Sequence, residues 1–159
     1  MQYWILQHNP ELLPVNVPYP LGVPPNMDYW HISRYGDEVT IDDVAFIWHA
    51  GTDRGIYDVA KVRSVSPHRR EADDQIELLK KSDNRFWADA YERERLRQLP
   101  TVLIERQYPE GLKPPVLVEE LRKNGFGGLP VIRMPQRGIY GVEQTVGVRL
   151  LQYIRRTRR

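Results

Sequence analysis

The sequence predicts an α+β domain, a small mixed β-barrel, partly closed, with helices at its periphery. Short strand-like runs fill the first part of the chain, the clearest hairpin lies near the middle, and amphipathic helical runs come mostly later. Strands and helices that segregate in this way make a mixed sheet with helices set apart, not a doubly wound one. Several short strands suit a small barrel. With 159 residues the chain has the size of one domain, so a single core over 1–159 is expected.

Each element has its own signal. Tyr3 to Leu6 is a short apolar run with aromatic and β-branched members, a buried opening strand. Residues 14–25 hold Pro14, Pro18, Pro20, Pro24 and Pro25, so neither helix nor sheet runs through them and a proline-rich surface loop is expected. Tyr29 to Ser33 reads as a second strand, with Tyr35-Gly36-Asp37 as turn chemistry after it. Val44 to Trp48 is continuously apolar, as a strand covered on both faces is. Ala50 to Gly55 then forms a hairpin loop into a long strand, Ile56 to Val65.

Beyond Pro67 the pattern becomes helical. Glu71 to Ser82 carries Ile76, Leu78 and Leu79 among charges, a short amphipathic helix interrupted by Arg85-Phe86-Trp87. Thr101 to Glu105 returns to strand. Val116 to Lys123 is a helix with prolines before it and Gly125 after it. Leu129 to Arg133 reads as a last strand. Gln144 to Arg156 is a C-terminal helix with Val148, Leu151 and Ile154 on one face.

Composition narrows the chemistry. The absence of cysteine excludes disulfides and thiolate metal sites. His8, His31, His49 and His68 have no metal-ligand spacing, so neither a metal nor another cofactor is expected. No apolar run is long enough to span a bilayer and the N-terminus lacks signal-peptide character, so a cytoplasmic location without membrane contact is expected. The formal net charge is only +2, but Arg63, His68, Arg69 and Arg70 cluster mid-chain and Arg155, Arg156, Arg158 and Arg159 crowd the end. Such groups serve either as a solvated surface and helix C-terminus or as phosphate contacts.

Around the hairpin the residues become specific. Trp30-His31-Ile32-Ser33-Arg34-Tyr35-Gly36-Asp37, the run Val44 to Trp48, then Gly51 and Gly55-Ile56 together resemble the core of the EVE domain. Tyr3-Trp4-Ile5-Leu6 is similar to its opening strand, Asn84-Arg85-Phe86-Trp87 to its mid-domain tryptophan segment, and Leu129 to Gln136 to its closing segment. The resemblance spans nearly the whole chain, with the pieces in the family's order. It implies a PUA-like barrel with flanking helices, related to YTH domains, that binds modified nucleotides in DNA or RNA without catalysis. Because such domains often occur beside restriction nucleases and modification enzymes, it also implies a separate enzyme partner. One departure is local: where the family has Gly-Asp before the apolar run, this chain has Ile41-Asp42-Asp43.

Reading a modified base requires lifting it out of the stack and holding its face on aromatic rings, each stack contributing about 1–3 kcal/mol. Trp30, Tyr35, Trp48 and Trp87 are the candidate cage. Trp30 is the foremost of them, since its counterpart in YTH relatives lines the pocket and its neighbours His31 and Ser33 are polar. Trp48, like Trp4, lies on an apolar strand that equally suits a core filler. Asp58 leaves three readings: an ion pair with Arg54 or Arg34, a hydrogen-bond acceptor for a base amine, or an exposed side chain. Gln7, Asn9 and Ser33 have side chains able to bond a base edge, and Arg34, Arg54 and Arg133 are the candidate phosphate contacts. Modified cytosine in DNA is the favoured ligand, with a structured or modified RNA as the alternative. An enzyme built on His49 with Asp53, or His8 with Asp58, lacks any accompanying catalytic motif. A protein-interaction module using the proline-rich loop is the remaining alternative.

Overall fold

A computed structural model describes residues 1–8, 26–32, 38–66, 101–135 and 138–158. Among the described residues seven strands form one mixed sheet: β1 (Tyr3–His8), β2 (Met27–His31), β3 (Val44–His49), β4 (Gly55–Ser66), β5 (Thr101–Arg106), β6 (Val116–Leu117) and β7 (Ile139–Val142). Their order is β2-β5-β4-β3-β1-β7, with β6 attached to β4. β1 and β3 run parallel, and the other pairs are antiparallel. The edges β2 and β7 do not pair with each other among the described residues, so the sheet curls without the closure expected of a barrel.

Alternation along the strands builds two layers. Tyr3, Ile5, Val44, Phe46, Trp48, Ile56 and Val59 point to one face, where they meet the helices α1 (Val118–Lys123), α2 (Pro130–Arg133) and α3 (Gln144–Thr157) through Leu121, Val131, Leu150 and Ile154. Trp4, Leu6, Ala45, Ile47, Ala60, Val62, Val102, Ile104 and Ile139 form the second cluster on the opposite, concave face. Trp4 and Ile139 from one end of the sheet and Val62 and Val102 from the other line one small apolar void there. The curl therefore makes an interior of its own.

The layers hold because β4 carries two irregularities. Ile47 lies opposite Asp58 but Trp48 lies opposite Ile56, which leaves Tyr57 as an extra residue. This bulge shifts the alternation: Ile56 and Val59 share the helix face, while Ala60 and Val62 take the concave one. A second shift at Arg63 restores Val65 to the concave side. At the hairpin, Gly51 turns with φ 101°. Gly55 lets β6 approach, since a Cβ there would lie 2.4 Å from the Val116 carbonyl oxygen. The glycines of this loop thus each have a structural use.

Before β3 the chain turns through Asp42, whose φ is 73°, a left-handed conformation that aspartate tolerates better than most residues. Asp42 stands where the resembling family has glycine. The next residue, Asp43, is wholly buried and accepts from the backbone N of Gln2 (2.7 Å), Trp4 Nε1 (2.9 Å), Thr40 N (2.9 Å) and Thr40 Oγ1 (3.1 Å). One carboxylate thereby fastens the start of β1 to the start of β3.

Two expectations are corrected. Leu129 to Arg133 is not a strand: Pro130 begins α2 at a position where its missing N–H costs nothing, and the last strand comes later, at Ile139–Val142. In Val116 to Lys123, the first two residues pair with Ile56 and Gly55 as β6 before the helix starts. The proline-rich loop and the expected helix at Glu71 to Ser82 lie outside the described residues.

Candidate nucleic-acid interface

The structure separates residues that sequence reasoning grouped. Trp48 is 1% exposed and sits in the core between sheet and helices with Phe46 and Ile5. A ring so enclosed offers no face to a base. Trp30 is half-buried on the edge strand β2 and packs against the concave cluster, on the other side of the sheet. Their positions along the sheet differ as well. Trp48 lies opposite Ile56, whereas Trp30 pairs with Val102, itself opposite Val65. Nine residues of β4 amount to about 30 Å of strand. Trp30 and Trp48 therefore do not form one cage.

Asp58 is also settled by its partners. It is wholly buried and accepts from Val59 N (2.7 Å), Tyr108 N (3.0 Å) and Arg106 Nε (2.6 Å). The partner is neither Arg54 nor Arg34 but Arg106, which lies opposite Ala60 and so is a diagonal neighbour across the strands. Burial pushes the Asp58 carboxyl above the usual carboxylate range, against the pull of the Arg106 guanidinium and the two backbone N–H groups. Val102, Ile104 and Arg106 alternate onto the concave face, which puts the arginine on the same side of the sheet as Asp58.

Gln7, Arg54 and Arg133 lie on three segments: the end of β1, the hairpin between β3 and β4, and the end of α2. Gln7 N donates to the Gly138 carbonyl (2.8 Å) and Gln7 Nε2 to the Pro135 carbonyl (2.9 Å), tying β1 to the segment between α2 and β7. The Tyr140 hydroxyl holds the same segment through the Met134 carbonyl (2.6 Å). Gln7 Oε1 is buried and accepts no hydrogen bond among the described residues. Arg133 is exposed at the end of α2. Arg54 is half-buried at the hairpin, and its carbonyl accepts from Val118 N (3.2 Å) at the start of α1.

The same hairpin holds a feature that sequence reasoning missed. The rings of His49 and Tyr57 stack at 3.9 Å and 10°, and the Tyr57 hydroxyl donates to the Asp53 carbonyl (2.7 Å). The bulge at Tyr57 makes the pairing possible, and no sequence pattern announces it. Asn9, Ser33, Arg34, Tyr35 and Trp87 lie outside the described residues.

No family model matches the sequence, and no curated protein does. Solved structures match almost end to end. Human THYN1 in complex with 5-methylcytosine-containing DNA superposes with a TM-score of 0.61 at 13% identity, over 97% of this chain and 98% of that one. The DUF55 domain of human thymocyte nuclear protein 1 gives 0.56 at 13% identity, with 96% and 98% covered. ASCH from Zymomonas mobilis gives 0.53 at 9% identity, with 95% and 94% covered. These neighbours are EVE-type and ASCH domains with PUA-like folds, and this chain shares that fold. The likeness is one of fold and extends over nearly the full chain.

Proposed function

We propose that this chain binds nucleic acid without catalysing a reaction on it and reads a modified base, with modified cytosine in DNA the favoured ligand. The supporting observation is that its fold matches, over 97% of its length, that of human THYN1 solved with 5-methylcytosine-containing DNA. Trp30 supplies the stacking face: among the described tryptophans it is the one half-buried at a sheet edge, whereas Trp4 and Trp48 are spent on the two cores. Ser33, Arg34 and Tyr35 follow it within five residues. Trp87 completes the aromatic set. Arg54 and Arg133 contact phosphates, and the open acceptor of Gln7 takes a donor from the ligand. Any cutting or modification of the bound strand falls to a separate nuclease or modification enzyme.

Competition decides the ligand. The full chain is bound to a labelled duplex carrying 5-methylcytosine, then challenged with unmodified duplex, with duplexes bearing N4-methylcytosine or N6-methyladenine, and with folded tRNA. The proposal predicts that the methylcytosine duplex competes best. Stronger competition by tRNA moves the reading to a PUA-like RNA binder, and no binding to any of them contradicts both.

A further inference from the structure

We propose that the outer surface of α1 and α3, opposite the concave face, is a second nucleic-acid contact that grips phosphates through Arg122, Lys123, Arg149 and Arg156. This rests on the nucleic-acid reading above and adds to it a surface that base recognition does not use.

The two helices run antiparallel. Glu120 of α1 meets Tyr153 and Arg158 near the end of α3, whereas Phe126, just beyond α1, meets Arg149 nearer its middle. The C-terminal cations of α1, Arg122 and Lys123, therefore lie toward Arg149. The Arg149 guanidinium sits over the Phe126 ring, 5.5 Å from its centroid, and Nη2 would lie 3.6 Å from a Cβ at Gly125. Gly125 has φ 83°, so the loop closes tightly beneath that guanidinium. The stem of Arg122 is pressed by the same loop, its Cγ 3.3 Å from where a Cβ of Gly127 would be. Arg156 follows Arg149 by seven residues, on the same helix face and about 10 Å along it.

All four cations are exposed, and none makes an ion pair among the described residues. The nearby acids are committed elsewhere. Glu120 accepts from Tyr153 and Arg158, and Glu143 accepts from Thr145 at the start of α3. Glu119 is the exposed carboxylate that remains on α1. Helix-end cations are often present only to suit the macrodipole, which accounts for Arg122, Lys123 and Arg156. It does not account for Arg149, which stands mid-helix over the Phe126 ring. Paired cations such as Lys61, Arg63 and Lys113 have no such freedom.

The test is the salt dependence of binding to a fluorescein-labelled duplex. Each phosphate neutralised contributes about −0.9 to the slope of log Kobs against log salt. The variant Arg122→Gln/Lys123→Gln/Arg149→Gln/Arg156→Gln is expected to flatten the slope by about 3–4 and to lose at least about tenfold in affinity at fixed salt. The control Lys61→Gln/Lys113→Gln is expected to leave the slope near wild type, with both folds checked by circular dichroism. Wild type that binds while the four-residue variant keeps its slope overturns the second contact alone. Wild type that binds no duplex overturns it together with the nucleic-acid reading. Capture of anionic phospholipid vesicles by the patch, without effect on duplex binding, also overturns it.

Discussion

Asp58 and Arg106 meet at 2.6 Å on the concave face, at the point where β5 leaves β4. The aspartate side chain is 1% exposed and the arginine 13%, so the pair is largely removed from water. The same carboxylate also holds the N–H groups of Val59 and Tyr108, which fixes the turn after β5. Breaking a buried pair costs more than the pair contributes, because a desolvated charge is left behind. Asp58→Ala is therefore expected to cost about 3–5 kcal/mol in urea unfolding. Arg106→Met together with Asp58→Asn is expected to cost clearly less than the sum of the two single changes. Strict additivity would mean that the pair does not act as a unit.

Gly147 is where α3 touches the sheet. A Cβ there would lie 2.2 Å from Cγ of Tyr3 and 2.5 Å from Cδ2, far inside contact distance. Gly147→Ala gains about 1 kcal/mol of helix propensity, yet the displaced ring or helix is expected to reverse the sign and lower the melting temperature. Adding Tyr3→Ala should remove most of the penalty specific to the alanine. If Gly147→Ala raises the melting temperature on its own, the close approach is wrong.

The Tyr153 hydroxyl has its pKa raised, first by burial and then by its hydrogen bond to Glu120. A group whose folded pKa exceeds its unfolded one contributes stability that is present below the unfolded value and lost as pH rises through the folded value. With an ordinary tyrosine near pH 10, stability is expected to fall above about pH 10. Tyr153→Phe should flatten that alkaline decline, while leaving the acid limb as it is. Thermal unfolding across pH 9 to 11 gives the comparison.

Trp48 and Trp30 should separate stability from binding. Trp48→Ala opens a core cavity and is expected to cost about 3–5 kcal/mol. Trp30→Ala removes a half-buried ring and is expected to cost about 1–2 kcal/mol. Equal losses would place both rings in the core and remove Trp30 from the interface.

What the sequence made legible follows what local chemistry controls. The apolar runs at Tyr3 to Leu6 and Val44 to Trp48, and the hairpin between β3 and β4, emerged because period and turn residues state them directly. The bulge at Tyr57 did not, since one extra residue leaves no mark on composition while exchanging the faces of everything beyond it. That exchange is why Ile56 and Asp58, two apart, lie on opposite sides while Asp58 still shares a face with Ala60 and Val62. Pro130 misled for another reason: Val131-Ile132 looks like strand, but a proline at the first helical position favours a single turn. The partner of Asp58 was out of reach because Arg106 comes 48 residues later, and pairing across strands depends on register, which a single sequence does not state.

The central claim is tested most directly by fluorescence anisotropy of one short duplex, prepared with unmodified cytosine and with 5-methylcytosine, against wild type and Trp30→Ala. The account predicts a preference of at least about tenfold for the methylated duplex, equivalent to about 1.4 kcal/mol. It predicts that this preference disappears in a Trp30→Ala variant that still folds. Equal binding of both duplexes by wild type, or a preference that survives the loss of the Trp30 ring, would contradict it.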